Sequence, residues 1–80
     1  MAKTWTYKYN GNTIEVKNSV CRGEELVVNG SLQDKTYAIF SARLWGRLQS
    51  GEEIKVTLGG TWSVKCYLFV DNILQNIVPK

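Results

Sequence analysis

The chain has 80 residues, enough for one domain with a modest core, and its ten Lys and Arg residues against seven Asp and Glu residues give a net charge of +3. It has no block of like charge, no apolar run of the roughly 18 residues that span a bilayer and no amino-terminal apolar segment typical of a signal peptide. These features argue against a polybasic tail and a membrane-spanning helix, and we expect a cytoplasmic single domain over residues 1–80.

The first half of the chain predicts two β-hairpins. Residues 4–17 alternate between apolar and polar side chains on either side of Asn10-Gly11, and residues 25–35 do so around Asn29-Gly30. Asn-Gly tolerates the positive φ angles of a tight two-residue turn, so it is a strong short-range sign of a hairpin.

The segment from Tyr37 to Leu48 admits two interpretations. Phe40, Leu44 and Leu48 are four residues apart, as on one side of a helix. Apolar or small residues also occupy every even position from Ala38 to Leu48, as on a strand. Because the alternation fits more positions, we predict one long strand.

The remaining residues predict three further strands. Residues 54–58 and 62–70 alternate in the same way, Asp71-Asn72 supplies turn chemistry, and residues 73–78 form a last strand that Pro79 ends. The alternation places Cys66 on an apolar strand face, where a free cysteine packs as a small hydrophobic residue.

The two halves of the chain resemble each other in sequence. Residues 26–34 are echoed by residues 68–76, and residues 14–17 are echoed by residues 54–57. Self-similarity at this spacing indicates one supersecondary unit that cannot bury its apolar face alone. We therefore predict an internal duplication.

The predicted fold is all-β. Two similar four-strand units, over residues 4–35 and 43–78, form a two-layer sandwich or a partly closed barrel, of which we favour the sandwich. A short all-β chain must close its sheets, cover their edges or pair an edge with another chain. The last of these solutions predicts a homodimer.

The repeat also predicts which face of the long strand is buried. If Leu44 is equivalent to Trp5, all core residues stay on one face and Trp45 points outward. If Trp45 is equivalent to Trp5, then Trp45 and Leu48 lie on opposite faces unless a bulge intervenes. The first alignment needs no bulge, so we predict that Trp45 is exposed.

The outward positions of the strands at 37–48 and 62–70 carry the candidate binding residues. They are aromatic and cationic side chains: Tyr37, Arg43, Trp45, Arg47, Tyr67 and Phe69. An exposed patch of this kind, if uncovered in the monomer, marks an interaction site.

We expect these residues to mediate homodimer assembly or binding of a protein partner, and the alternative is a module that binds single-stranded nucleic acid or carbohydrate. Identical patches pair in two-fold symmetric homodimers, and a protein partner could use the same surface. Arginines beside Trp45 could instead hold a phosphate backbone while unpaired bases stack on Trp45 and Tyr67, and the same rings could stack on sugars. A cross-strand ladder of cation–π contacts and ion pairs, for example to Glu52 or Glu53, would need no ligand.

The chain has few of the side-chain arrangements that catalysis usually requires. The chain has no histidine to act as a general base. The neighbours in Glu24-Glu25 and in Glu52-Glu53 point to opposite faces of an extended strand, and two cysteines cannot complete a zinc site without carboxylates. We expect a non-enzymatic protein without catalytic residues, cofactor or metal, and a disulfide between Cys21 and Cys66 is not favoured in a cytosolic chain.

One set of turn and core positions in the first half is shared with a known family: Trp5, Asn10-Gly11, Ile14-Glu15-Val16, Gly23 and Leu26-Val27-Val28-Asn29-Gly30. In these positions residues 5–34 resemble the β repeat of the Fas apoptotic inhibitory molecule family. The resemblance implies an all-β fold of repeated hairpins and a protein-binding role without catalysis. The second half departs from the pattern at residues 43–47 and 58–62, and no functional residue is carried over.

Overall fold

A computed structural model describes residues 2–19, 21–37, 41–60, 64–75 and 78–79. These residues form nine β-strands and no helix, and all strand pairs are antiparallel, so the predicted all-β class is confirmed. In chain order the strands are β1 (Ala2–Tyr9), β2 (Asn12–Ser19), β3 (Gly23–Val28), β4 (Ser31–Thr36), β5 (Ser41–Arg47), β6 (Glu53–Gly59), β7 (Lys65–Val70), β8 (Ile73–Gln75) and β9 (Val78–Pro79).

The strands form two sheets of similar size. Sheet 1 has the order β4-β3-β2-β1-β9, and sheet 2 has the order β5-β6-β7-β8. No backbone ladder joins the two sheets among the described strands, so they do not close into a barrel and the favoured sandwich is the observed fold.

The core lies between the sheets and draws on both. One cluster of buried side chains joins Trp5, Ile14, Val16, Leu26 and Val28 of sheet 1 to Ala42, Leu44, Leu48, Ile54, Val56, Leu58, Leu68 and Val70 from the sheet 2 half of the chain. Each sheet contributes alternate residues of its strands, as expected for a sheet with one face in the core.

The two units have equivalent registers. In sheet 1, Val16 pairs with both Trp5 and Leu26. In sheet 2 the same row is formed by Val56, which pairs with both Leu44 and Leu68. Leu44 therefore takes the place of Trp5, as the alignment without a bulge predicts.

Equivalent polar contacts hold one turn in each unit. The Asn29 backbone N–H donates to the Thr13 carbonyl at 2.8 Å, and the Thr13 N–H donates to Asn29 Oδ1 at 2.8 Å. In the second unit, Asp71 and Glu53 exchange the corresponding two bonds, both at 2.9 Å. The predicted two-residue turns have positive φ at both central residues, including 51° at Asn29 and 50° at Asp71.

Side chains of β4 bridge the edge where sheet 1 meets sheet 2. A register shift between Leu26 and Val27 leaves Gln33 without a pairing partner on β3. Asp34 Oδ2 accepts a hydrogen bond from the Trp45 backbone N–H at 2.9 Å, and Gln33 Oε1 accepts one from the Arg47 N–H at 3.3 Å. The side chains of β4 thus satisfy edge groups of β5 that have no strand neighbour in the described sheet.

A related contact bridges the opposite edge. The hydroxyl group of Tyr7 in β1 donates a hydrogen bond to Oε1 of Gln75 in β8 at 2.8 Å. Gln75 is the residue that echoes Gln33 in the sequence repeat. The approximate symmetry of the two units therefore extends from the core to the sandwich edges.

Three predicted strands have different limits in the structure. The expected strand from Tyr37 to Leu48 is too long, because β4 ends at Thr36, β5 begins at Ser41 and the chain must cross between sheets there; residues 38–40 lie outside the described part. The expected strand over 62–70 begins at Lys65, and residues 62–63 are also outside the described part. The expected strand over 73–78 is divided between sheets, since β8 pairs with β7 and β9 pairs with β1.

Substitution of Gly23 by Ala is expected to destabilise the fold severely. Gly23 has a φ of +78°, and an added Cβ would overlap the Thr36 carbonyl oxygen and lie 2.7 Å from Tyr37 Cδ1. We expect a loss of at least about 3 kcal/mol in urea-unfolding free energy, from the left-handed φ and the overlap together. Gly30→Ala is the matched control, because Gly30 has a φ of +82° but no described heavy atom within 4 Å of an added Cβ. Equal losses of unfolding free energy in the two variants would contradict this prediction, because they would show that the structure relieves the overlap at residue 23 without cost.

Substitution of Asp34 tests the bridged edge. Asp34→Ala removes the acceptor for the Trp45 N–H, and we expect a loss of about 1–2 kcal/mol in unfolding free energy together with faster hydrogen exchange of the Trp45 amide. Asp34→Asn keeps one carbonyl oxygen and should retain part of both properties. Unchanged exchange of the Trp45 amide in Asp34→Ala would contradict the bridge.

Candidate functional site

The outer face of sheet 2 is the surface on which aromatic and cationic side chains are concentrated. On β5, β6 and β7 its residues alternate with the buried core positions, so they point away from sheet 1. We call its rings the aromatic set: Trp45, Tyr67 and Phe69. We call its positive side chains the cationic set: Arg43, Arg47, Lys55 and Lys65.

Strand pairing arranges these side chains in rows across the sheet. One row runs Trp45, Lys55, Phe69 and Leu74 over β5, β6, β7 and β8. The next row runs from Arg43 through Thr57 to Tyr67. Neighbouring strands lie about 4.8 Å apart, so Lys55 stands between two rings in the first row, and Arg43 stands two strands away from Tyr67 in the second.

The rings of the aromatic set are accessible to a partner. Trp45 is 49% exposed and Tyr67 is 46% exposed, while Phe69 is half-buried. Leu74, at the end of the first row, is 57% exposed. The predicted exposure of Trp45 is confirmed, since its neighbour Leu44 takes the core position instead.

Among the described residues, the ladder of internal ion pairs is not formed on this face. The side chains of Arg43, Lys55 and Lys65 make no hydrogen bond, ion pair or ring contact with any residue that the structure describes. Arg47 pairs in register with Glu53, but its Nη1 donates to the Gly51 carbonyl oxygen at 2.8 Å. The positive charges are therefore available to groups outside the domain.

Tyr37 lies elsewhere, although the sequence placed it with Trp45. It follows β4 outside the described strands, and its ring lies close to Gly23 at the start of β3. The Lys35 ammonium lies 5.4 Å from the ring centroid. Its 67% exposure leaves it accessible, but it belongs to the sheet 1 side and not to the rows of sheet 2.

Besides Thr57, two members of the rows were not among the candidate residues. Lys55 occupies an outward position of the 54–58 alternation, which the sequence already shows. Leu74 is opposite Phe69 because the two-residue turn at 71–72 pairs Val70 with Ile73. Turn length and alternation together could have identified both residues.

A polar cleft adjoins the end of β5. It has a volume of about 240 Å³ and is lined by Val28, Asn29, Ser31, Gln33, Arg47 and Gln49. Amide, hydroxyl and guanidinium groups dominate this lining, so the cleft suits a polar planar or hydroxylated group. Arg47 belongs both to the cleft and to the outer face of sheet 2.

The outer face of sheet 1 has a different composition. Its outward positions on β2 and β3 include Glu15, Lys17 and Glu25, and the Lys35 Nζ atom lies 3.6 Å from Glu25 Oε2. Positive and negative side chains are thus mixed there. The excess of cations beside aromatic rings is a property of sheet 2.

The two cysteines differ in environment. Cys21 is an exposed free thiol in the turn before β3, whereas Cys66 is a free, partly buried thiol on the core-facing side of β7. Burial raises the pKa of the Cys66 thiol to about 12, because desolvation disfavours the thiolate. The alternative of a Cys21 to Cys66 disulfide is not observed.

The described residues form neither a cluster of metal-ligating side chains nor a membrane-spanning helix. No three His, Cys, Asp or Glu side chains in the described ranges come together as a group that could hold a metal ion. None of the described residues forms a helix long and apolar enough to cross a membrane.

Alkylation is expected to distinguish the two thiols. With iodoacetamide near pH 8, Cys21 should react in the folded protein, and Cys66 should react at a comparable rate only after urea unfolding. Because the folded-state pKa of Cys66 is about 12, its thiolate fraction and its rate should rise about tenfold per pH unit between about pH 8 and 10. The ordinary pKa of a cysteine thiol is 9.0, so the contribution of Cys66 to stability is fully present below about pH 9 and is lost as pH rises from about 9 toward about 12. Mass spectrometry follows both sites, with Cys21→Ser as the control, and equal folded-state rates would contradict the assignment.

No protein-family model, curated protein or solved structure matches this chain. The resemblance of residues 5–34 to the Fas apoptotic inhibitory molecule repeat therefore stays a prediction from the sequence.

Proposed function

We propose that this protein is a non-enzymatic binding module that holds an anionic partner on the outer face of sheet 2. One observation carries the proposal. Arg43, Lys55 and Lys65 stand among exposed rings and make no ion pair with any described residue. An acidic protein surface and a nucleic acid both offer the complementary charge.

The charge balance of the face supports an anionic partner. Glu53 is the acidic residue among the described outward positions of β5, β6 and β7, against the four members of the cationic set. A surface with an excess of one sign raises the local concentration of oppositely charged partners and their association rate. Burial of these contacts by a partner strengthens them, because the effective dielectric constant falls as water leaves.

The aromatic set supplies the other part of the binding energy. Burying a large side chain that is now exposed contributes on the order of 1.5–3 kcal/mol, or about half of that for a ring already half-covered. Trp45 and Phe69 lie in one row with Lys55 between them, so a partner that covers this row contacts rings and charge together. Such a surface binds by combined desolvation and ion pairing.

Charge weighs against a homodimer built on this same face. A two-fold axis would bring the cationic sets of two copies together, and juxtaposed like charges cost several kcal/mol. A homodimer that assembles through another element, the edge strand β8, is the second candidate. On β8, Ile73 is 66% exposed and Leu74 is 57% exposed, which favours covering this short edge by a second chain.

Binding of inorganic polyphosphate tests the proposed surface. The double variant Arg43→Gln/Lys55→Gln should bind at least about tenfold more weakly than the wild type at about 50 mM salt, because two anion contacts are lost. The control Lys8→Gln/Lys17→Gln changes the net charge equally on the outer face of sheet 1 and should bind within about twofold of the wild type.

The same solutions give two further readouts. Wild-type affinity should fall steeply between about 50 and about 200 mM salt, since phosphate contacts release counterions. Light scattering after size exclusion shows whether the free protein is a monomer or a dimer. Equal weakening by the two double variants would contradict binding on sheet 2 and leave only a non-specific charge effect.

A further inference from the structure

We infer that the anionic partner is a single-stranded nucleic acid whose unpaired bases stack on the aromatic set while the cationic set holds its phosphates. This inference rests on the proposed function, because it names the partner of the same surface. Rings and cations alternate along β5, as Arg43, Trp45 and Arg47, and across the first row of the sheet, where Lys55 lies between Trp45 and Phe69.

The spacing of the rings suits an extended strand. Tyr67 and Phe69 are alternate residues of β7, so their side chains leave the sheet about 7 Å apart. Stacked nucleotides rise by about 3.4 Å, so a base on each of these rings requires a chain extended about twofold. A single strand can be extended in this way, whereas the stacked bases of a duplex cannot reach the rings.

The cations lie where the phosphates of such a strand must pass. Arg43 is in the row of Tyr67, and Lys55 is between Trp45 and Phe69. A base stacked on any member of the aromatic set therefore has a cation within one or two strand spacings, about 5–10 Å. This range covers the separation of base and phosphate within one nucleotide. One nucleotide can therefore contact a ring and a cation together, which a small anion cannot do.

The nature of the apolar groups favours bases over an acidic peptide. The exposed large apolar side chains of the described rows are the rings of Trp45 and Tyr67 and the aliphatic side chain of Leu74. Flat rings on a sheet form a platform for planar bases, and stacking of this kind tolerates any base. An acidic peptide would pair with the cations but would need its own apolar side chains to cover the rings.

The polar cleft gives the strand an additional contact. Arg47 stands on the outer face of sheet 2 and also lines the cleft of about 240 Å³ beside Gln33 and Gln49. Guanidinium and amide groups form paired hydrogen bonds with base edges. A base next to the platform can enter this cleft while its phosphate remains near Arg47.

Fluorescence anisotropy with four probes of equal charge tests the inference. The probes are a labelled oligothymidylate of about ten nucleotides, the same sugar–phosphate chain with abasic sites, a duplex of matched charge and an oligoglutamate peptide. We expect the oligothymidylate to bind at least about tenfold more tightly than the other three, because only it offers unpaired bases.

Two variants locate the bases. Trp45→Ala should weaken oligothymidylate binding by about tenfold or more with little effect on the abasic chain, and Trp45→Phe should recover much of the loss because a ring remains. Tyr67→Ala provides a second test at another ring of the platform. Leu32→Ala, an exposed apolar residue on β4 of sheet 1, is the control and should not change binding. Circular dichroism confirms that each variant is folded.

The outcomes separate this inference from the proposed function. Equal binding of the oligothymidylate, the abasic chain and the oligoglutamate overturns stacking but leaves an anion-binding surface. Tighter binding of the oligoglutamate or of the duplex overturns the single-strand assignment in favour of an acidic protein or double-stranded partner. Failure of all four probes to bind at low salt overturns both statements.

Discussion

The arrangement of this domain depends on how it satisfies the edges of two open sheets. Exposed edge N–H and C=O groups are templates for pairing with other chains, and a small β protein that does not close into a barrel has to manage them. Here the bulge in β4 directs Gln33 and Asp34 toward the backbone of β5, where their side-chain oxygens accept hydrogen bonds from Arg47 and Trp45. This bridge holds the sheets at their shared edge without a ladder, so β5 can present its outward side chains to solvent. Gly46 allows β5 to approach sheet 1 closely at this edge, since a Cβ at this position would lie 2.9 Å from Leu26 Cδ2.

The packing of the core determines which face of sheet 2 points outward. The rows centred on Val16 and Val56 place equivalent large residues in the same layer of both sheets, and a slip of one residue would bring polar side chains inward along a whole strand. The similarity of the two units therefore also decides which side chains of β5 are exposed. Once Leu44 occupies the position equivalent to Trp5, Trp45 has to lie outside, next to two arginines on the same strand.

The two outer faces follow from the same fold but have different chemistry. Sheet 1 mixes charges of both signs, including the Lys35 to Glu25 pair, and is typical of a solvated surface. Sheet 2 combines rings with cations that the described residues leave without ion pairs, and this combination is the basis of the proposed anionic, planar partner. The polar cleft at Arg47 extends this surface toward the bridged edge. The same strand, β5, thus contributes to the sandwich edge, the core and the proposed binding face.

The amino-acid sequence by itself determined the all-β class, the two-residue turns at Asn10-Gly11 and Asn29-Gly30, the repeat and the outward direction of Trp45. These are local or periodic properties, since alternation and turn chemistry act between residues that are close along the chain. Tertiary structure alone decided that Tyr37 leaves the outer face, that the last predicted strand is divided between two sheets, and that the side chains of Arg43, Lys55 and Lys65 have no partner among the described residues. The physical reason is that two features depend on which strands meet in space: the hydrogen bonds of backbone groups at the sheet edges, and the ion pairs between side chains. Two sheets packed through one core bring together β4 and β5, or β1 and β9, by contacts that no pattern within a single strand can specify.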